Sequence, residues 1–266
     1  MKKNKKIAVA FLLTANILSL TAVGANAANF SWFIPRNGNR QPNFPKKSEE
    51  VANFDAYYMD VALDDYSDEK RIYLTFDFGY ENGNVEKIAD VLKEKGVPAA
   101  FFILDAPIIK NTDLVIRLAN DGHLICNHTK NHKDLTEASA EEIENDLLAL
   151  ERIYSEKTGL EMSKYFRFPE GKYSEESLSS VKELGYKTVF WSFAYEDWDN
   201  TKQPSREWAK NKILSNTHNG AVILLHPTSA TNAQILPSLI DSWRDMGYTF
   251  GTLDELVKSV DGKTLN

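Results

Sequence analysis

Along this 266-residue chain, apolar strand-like runs repeatedly end in a side chain able to move protons or hold ions. Asp77 closes RIYLTFD, His128 and His132 follow HLIC within NHTKNH, and Arg167 follows KYF. Asp197 comes just after TVFWSF, and His226 ends AVILLH. Two His four apart can clasp a divalent ion when they share a helical turn, although the same spacing also arises between unrelated surface imidazoles. Asp77, with Gly79 turning the chain just after it, is either a carboxylate placed to take a proton from water or an ordinary turn cap. His226 can hand a proton to a leaving amine, because imidazole titrates near neutrality; a structural hydrogen bond is the other role for a His at a strand end. Arg167 and Asp197 are either a plain buried ion pair or the groups that hold base and acid in register. Trp198, just beyond a strand, suits the floor of a groove where an aromatic face stacks on a sugar ring, whereas Trp191, inside its apolar run, reads as core. An acid, an imidazole pair, an Arg, a second acid and a third imidazole together describe a hydrolytic site.

The elements that must bring these residues together alternate regularly. Strand-like runs lie near 71–77, 98–104, 123–127, 164–168, 187–193, 221–226 and 248–252, with helical patterns over 84–95, 112–121, 139–157, 174–185, 205–215 and 232–246. Ser139 and Glu142 form a capping box ahead of Ile143, Leu147, Leu150 and Tyr154 at helical spacing. Gly96, Gly122, Gly159, Gly185 and Gly247 each fall just past a helical stretch, where a left-handed residue is needed. Strands alternating with helices give a parallel sheet, barrel-like or doubly wound, whose strand carboxyl ends share one face. Residues 28–68 are irregular but too aromatic for a free linker (Trp32, Phe33, Phe44, Phe54, Tyr57, Tyr58), so they read as an N-terminal arm wrapping a domain at 69–266.

Residues 1–27 have the form of a secretory signal: MKKNKK, an apolar stretch from Ile7 to Val23, and Ala25-Asn26-Ala27 as the cleavage site. A cleaved, exported protein without a membrane span is expected. Cys126 is the only cysteine, so no intramolecular disulfide can form, and it reads as a small core hydrophobe. Losing the four signal lysines moves the formal charge from −7 to −11, which argues against nucleic acid or an anionic membrane surface as partner. A neutral or sugar-like substrate and a monomeric protein fit better.

Taken together, these segments resemble the motifs of the polysaccharide deacetylase (NodB-homology) family: TFDFG, NHTKNH, RFPEGKYS, FAYEDW and ILLH occur in the family's order and spacing across residues 71–252. YLTFDFGYENG and the aromatic arm with WFIPRN and QP are further similar to the delta-lactam-forming N-acetylmuramic acid deacetylases of spore-forming bacteria. The resemblance implies a distorted (β/α)7 barrel and removal of N-acetyl groups from glycan strands of peptidoglycan, in the cell wall or spore cortex space of a Gram-positive bacterium. It also implies a divalent metal ion, zinc by preference, on His128 and His132. Carried over residue by residue, Asp77 is the general base, Arg167 orients it, His226 is the general acid, and Asp197 supports either Arg167 or the acid. Glu170 lends its backbone N–H to the oxyanion, and Trp198 contacts the sugar.

One position departs from the pattern. The family's second aspartate, its anionic metal ligand, is Phe78 here, leaving two imidazoles where catalytic zinc takes three protein ligands. Water and substrate fill the sphere, a nearby carboxylate such as Glu81 turns in, or the metal binds weakly. Two other functions therefore stand beside the muramic acid deacetylase: a wall-glycan binding protein that lost its metal, and a deacetylase of N-acetylglucosamine.

Overall fold

The computed structural model describes residues 29–42 and 50–264. The expected signal segment lies outside them, as do Phe44 and Pro45 of the arm. The central strand β3 (Arg71–Phe78) shows why the sequence curls a sheet. Ile72, Leu74, Phe76 and Phe78 point to one side and pack with Val85, Ile88 and Leu92 of helix α1 (Val85–Lys95). Tyr73 points to the other, among Phe102, Cys126, Tyr165, Val189 and Val222 from the neighbouring strands. That second cluster is the barrel interior, and it draws on both faces being apolar, as parallel sheets require. Cys126 is fully buried there, and burial raises its thiol pKa far above the ordinary range.

On one side of β3, strands β4 (Ala100–Ile103), β5 (Leu124–Asn127), β6 (Ser163–Phe166) and β8 (Lys187–Val189) follow in parallel. β9 (Val222–Leu225) pairs with the other side of β3, and a bridge between Phe193 and Ile223 closes the curl. The expected barrel is thus a parallel sheet rolled onto itself, with two departures. The last run, β10 (Thr249–Phe250), reaches only Arg71 and Ile72 at the start of β3. The arm contributes a strand of its own: β2 (Ala56–Tyr57) pairs with β8.

Helices α2 (Asp105–Lys110), α3 (Thr112–Asn120), α4 (Ala140–Thr158), α5 (Glu175–Glu183), α6 (Arg206–Leu214) and α7 (Ala230–Asp245) connect the strands. The Ser139 capping box is present, and Gly159 ends the same helix at φ 73°. An eighth helix, α8 (Leu253–Thr264), sends Leu253, Leu256 and Val257 into the interior cluster. The arm is docked as well. β1 (Phe30–Ser31) runs antiparallel to β7 (Lys172–Tyr173), and Trp32 stacks on Phe190 with ring centroids 4.3 Å apart. Gly171 permits that approach, since a Cβ there would lie 2.8 Å from Trp32 Cβ. No described helix is long and apolar enough to cross a membrane.

Candidate active site

The strand ends deliver their polar residues to one cleft of about 790 Å³. Asp77, His128, His132, Glu170, Trp198 and His226 line it. Arg167 and Asp197 lie fully buried beneath it, each holding one lining residue.

Each guanidinium nitrogen of Arg167 has a partner. Its Nη1 donates to Asp77 Oδ1 at 2.8 Å, Nη2 to Thr75 Oγ1 at 2.9 Å, and Nε to the Val189 carbonyl at 2.8 Å. The guanidinium also lies 4.2 Å from the Phe102 ring centroid. Burial alone would raise the Asp77 pKa, but Arg167, helped by His128 and His226, outweighs it and holds the carboxyl below its ordinary range. Asp77 is therefore an anion at neutral pH with Oδ2 turned toward His128, 3.5 Å from its Nε2.

His128 Nδ1 lies 2.8 Å from the Arg167 carbonyl oxygen. A carbonyl only accepts, so Nδ1 carries the proton and Nε2 presents a bare lone pair. Burial depresses the pKa of this imidazole to about 4 against the pull of Asp77, which keeps it neutral and fit to ligate. His132 stands beside it, ring centroids 5.1 Å apart. The helical turn expected to align this pair is absent. The segment is a loop in which Thr129 (φ 66°) and His132 (φ 63°) take left-handed conformations. Such residues cost about 1–3 kcal/mol each and persist where surroundings over-determine them. Here Asn127 Oδ1 accepts the Thr129 N–H, Thr129 Oγ1 accepts the Lys133 N–H, and Asn127 is itself tied to the Leu147 carbonyl and Tyr186.

The opposite wall is built on Asp197. Its Oδ1 accepts from His226 Nδ1 at 2.7 Å, and its Oδ2 accepts the His226 backbone N–H at 2.8 Å and the Asn232 amide. Of the two partners open to Asp197 in the sequence, it takes the acid and not Arg167. Burial works against charge on His226, yet Asp197 prevails and raises its pKa. With Nδ1 occupied, Nε2 is the ring atom open to the cleft. A carboxyl held below its ordinary pKa on one wall and an imidazole raised above its own on the other are an arrangement suited to a base and an acid facing each other.

Two other expectations change. Trp191 is half-buried: it packs against the core cluster of Trp32, Phe168 and Phe190 and also lines the cleft, because β8 stops at Val189 and leaves the residues after it in a loop. Glu81 does not turn in: its Oε1 accepts the Gly83 N–H, and it is not among the cleft-lining residues. Glu170 takes φ 54° at the cleft wall, with its carboxylate on Lys172 at 2.9 Å. Arg36, Tyr80, Tyr195 and Thr228 also line the cleft; the first three fall within WFIPRN, YLTFDFGYENG and FAYEDW, but nothing in those segments marks them individually.

Comparisons with known proteins bear on the family and the fold. Residues 64–189 match the family model described as polysaccharide deacetylase. Over 250 residues the chain is 36% identical to the peptidoglycan-N-acetylmuramic acid deacetylase PdaA of Bacillus subtilis, covering 93% of this chain and 92% of that protein. This chain belongs to the polysaccharide deacetylase family. The solved structure of B. subtilis PdaA, a family 4 carbohydrate esterase, superposes with a TM-score of 0.80 at 35% identity, covering 86% of this chain and 96% of that one. A family 4 carbohydrate esterase from Bacillus anthracis gives 0.71 at 36% identity, covering 87% and 97%.

Deacetylases of this family depend on a metal, and the donors here fit one in part. His128 Nε2, fixed by the Arg167 carbonyl, and the adjacent His132 are suitable ligands, with Asp77 next to them. Phe78 contributes nothing. It is fully buried in the helix-facing layer, 6.5 Å from Phe101 between ring centroids. Among the described residues no three His, Cys, Asp or Glu side chains converge as a ligand set.

Proposed function

We propose that this protein is a secreted hydrolase that removes the N-acetyl group from muramic acid of peptidoglycan glycan strands already freed of their peptide. The observation that carries this reading is the pair of opposed charge dyads, Asp77–Arg167 and His226–Asp197, facing each other across one cleft. Similarity to B. subtilis PdaA along nearly the whole chain supports the substrate.

In this mechanism Asp77 takes a proton from water as the water oxygen bonds to the acetyl carbon. The Glu170 N–H receives the developing oxyanion, a contribution of about 2.7–4 kcal/mol for one such donor. His226 then delivers a proton from Nε2 to the sugar nitrogen as the C–N bond breaks, because an amine anion is too poor a leaving group to depart unprotonated. Acetate and a free amine result. That amine sits one ring closure from the lactyl carboxylate, and condensation with loss of water gives muramic delta-lactam, the form expected in spore cortex. A divalent ion on His128 and His132, zinc by the nature of the donors, would supply polarisation of the acetyl carbonyl.

Phe78 supports a second reading, a wall-glycan binding protein with little turnover. Acetate release and muramic lactam are to be measured on peptidoglycan with and without prior amidase stripping. Lactam appearing only after stripping is the expected result. Acetate from N-acetylglucosamine alone would select a glucosamine deacetylase, and retained glycan binding without acetate would select the binding protein.

A further inference from the structure

Three carboxylates line the cleft: Asp77, paired with Arg167, Glu170, paired with Lys172, and Glu196. Arg36 is the one Lys or Arg among the described residues that line it. Its exposed guanidinium donates from Nη2 to the Ala194 carbonyl at 2.7 Å and sits 5.4 Å from the Phe193 ring centroid. Neither contact neutralises its charge, and the rest of the donor fork stays available. Nor is Arg36 what holds the arm in place. Trp32 does that, donating from Nε1 to the Trp191 carbonyl and from its backbone to the Gly171 carbonyl, both at 2.8 Å. Further along, Gln41 Nε2 donates to the carbonyls of Asn219 and Asp60 at 3.1 and 3.3 Å. The arm thus anchors itself on both sides of Arg36 and presents, at the cleft wall, a cation with no ion-pair partner among the described residues.

We infer that Arg36 anchors a carboxylate carried by the substrate next to the scissile acetamide, and thereby selects muramic acid with a free lactyl group. The inference rests on the substrate proposed above and names the residue that recognises it. Chemistry fixes why one residue suffices. Muramic acid carries its lactyl ether on C3, beside the acetamido group on C2, so its carboxylate must enter the same cleft as the acetyl group. Apart from His226, whose imidazole is held by Asp197, Arg36 is the cationic side chain that such an anion can meet on the cleft wall. A guanidinium also matches a carboxylate with two parallel N–H donors. N-acetylglucosamine has a hydroxyl at C3, and peptide-bearing muramic acid has an amide in place of the carboxylate. Neither provides the anion.

The test varies the substrate and the residue together. Acetate release is measured on peptide-free glycan strands and on the same strands with the lactyl carboxylate converted to carboxamide, for wild type, Arg36→Gln and Arg36→Lys. The wild type is expected to favour the carboxylate by about 10-fold or more in kcat/KM, the usual worth of a charge-assisted hydrogen bond, with the difference mainly in KM. Arg36→Gln should bring the ratio close to one, and Arg36→Lys should fall between, keeping the charge but losing the fork. Strand binding to Asp77→Asn protein reads the same ratio without turnover, so failed catalysis does not mask the anchor. A wild-type preference that survives in Arg36→Gln overturns the anchor alone. A wild type that ignores the carboxylate while releasing acetate from muramic acid also overturns the anchor alone; acetate coming only from N-acetylglucosamine overturns the muramic target with it.

Discussion

The two walls of the cleft are built from the same parts with the polarity reversed. On one, a buried cation, Arg167, holds a carboxylate, Asp77, at the surface of the cleft; on the other, a buried carboxylate, Asp197, holds an imidazole, His226. Each buried partner favours the charged form of the group it holds, so the Asp77 pKa falls and the His226 pKa rises. Setting the two values apart takes no special chemistry, only the placing of opposite charges one layer below the reacting groups.

Removing a group that meets the substrate should break the comparison most severely. Asp77→Asn and His226→Ala are each expected to lower kcat by about 10²–10⁴-fold, the usual weight of a positioned proton-transfer group, while thermal unfolding shows the fold intact. Wild-type rates in either variant would remove the corresponding role. Arg167→Met comes next and acts twice. It strips the charge that keeps Asp77 ionised, so the acidic limb of the kcat/KM profile should move to higher pH. It also leaves a buried carboxylate unpaired, at a cost of about 3–5 kcal/mol by denaturant titration. Asp197→Asn should move the opposite limb. Without the anion beneath it His226 loses its proton more readily, so the alkaline limb should shift to lower pH while the acidic limb holds.

The smallest expected effect sharpens the comparison from outside the cleft. His123, just ahead of β5, is 5% exposed, and neither ring nitrogen has a hydrogen-bond partner. Here burial outweighs the pull of nearby Asp121 and depresses the pKa to about 4, the reverse of His226. Since the unfolded chain binds the proton more readily, stability is full above pH 6.5 and falls by up to about 3 kcal/mol as pH drops toward 4. His123→Phe should flatten that acid loss in thermal melts at pH 4.5 and 7.5 and leave kcat untouched.

Much of this arrangement was legible in the residues, and the reasons it was not elsewhere are local. Period-two alternation in RIYLTFDF fixed which side chains of β3 meet the helices, Phe78 included. The glycines marked helix ends because only they take left-handed backbone without cost. The same conformation at Thr129, His132 and Glu170 was invisible, since nothing in those residue types announces it. That is why a helical turn was expected under the imidazole pair. The cleft-lining side of Trp191 was missed because an apolar run does not say where pairing stops. Helix α8 did leave a signal that went unread: Thr252 and Glu255 exchange backbone N–H bonds as a capping box ahead of Leu256 and Val257. Arg36 lies within WFIPRN, but an irregular arm has no period against which one residue stands out.

The way the arm joins the sheet bears on where this protein can be cut. The Thr188 and Phe190 N–H groups donate to the Asp55 and Tyr57 carbonyls, and Asp60 donates to Gly220. The segment before residue 69 is therefore a stave between β8 and β9 more than a wrapping. A fragment trimmed to the strand–helix repeats would carry a raw sheet edge, open to pairing with other chains. The smallest autonomous piece must begin upstream of those carbonyls.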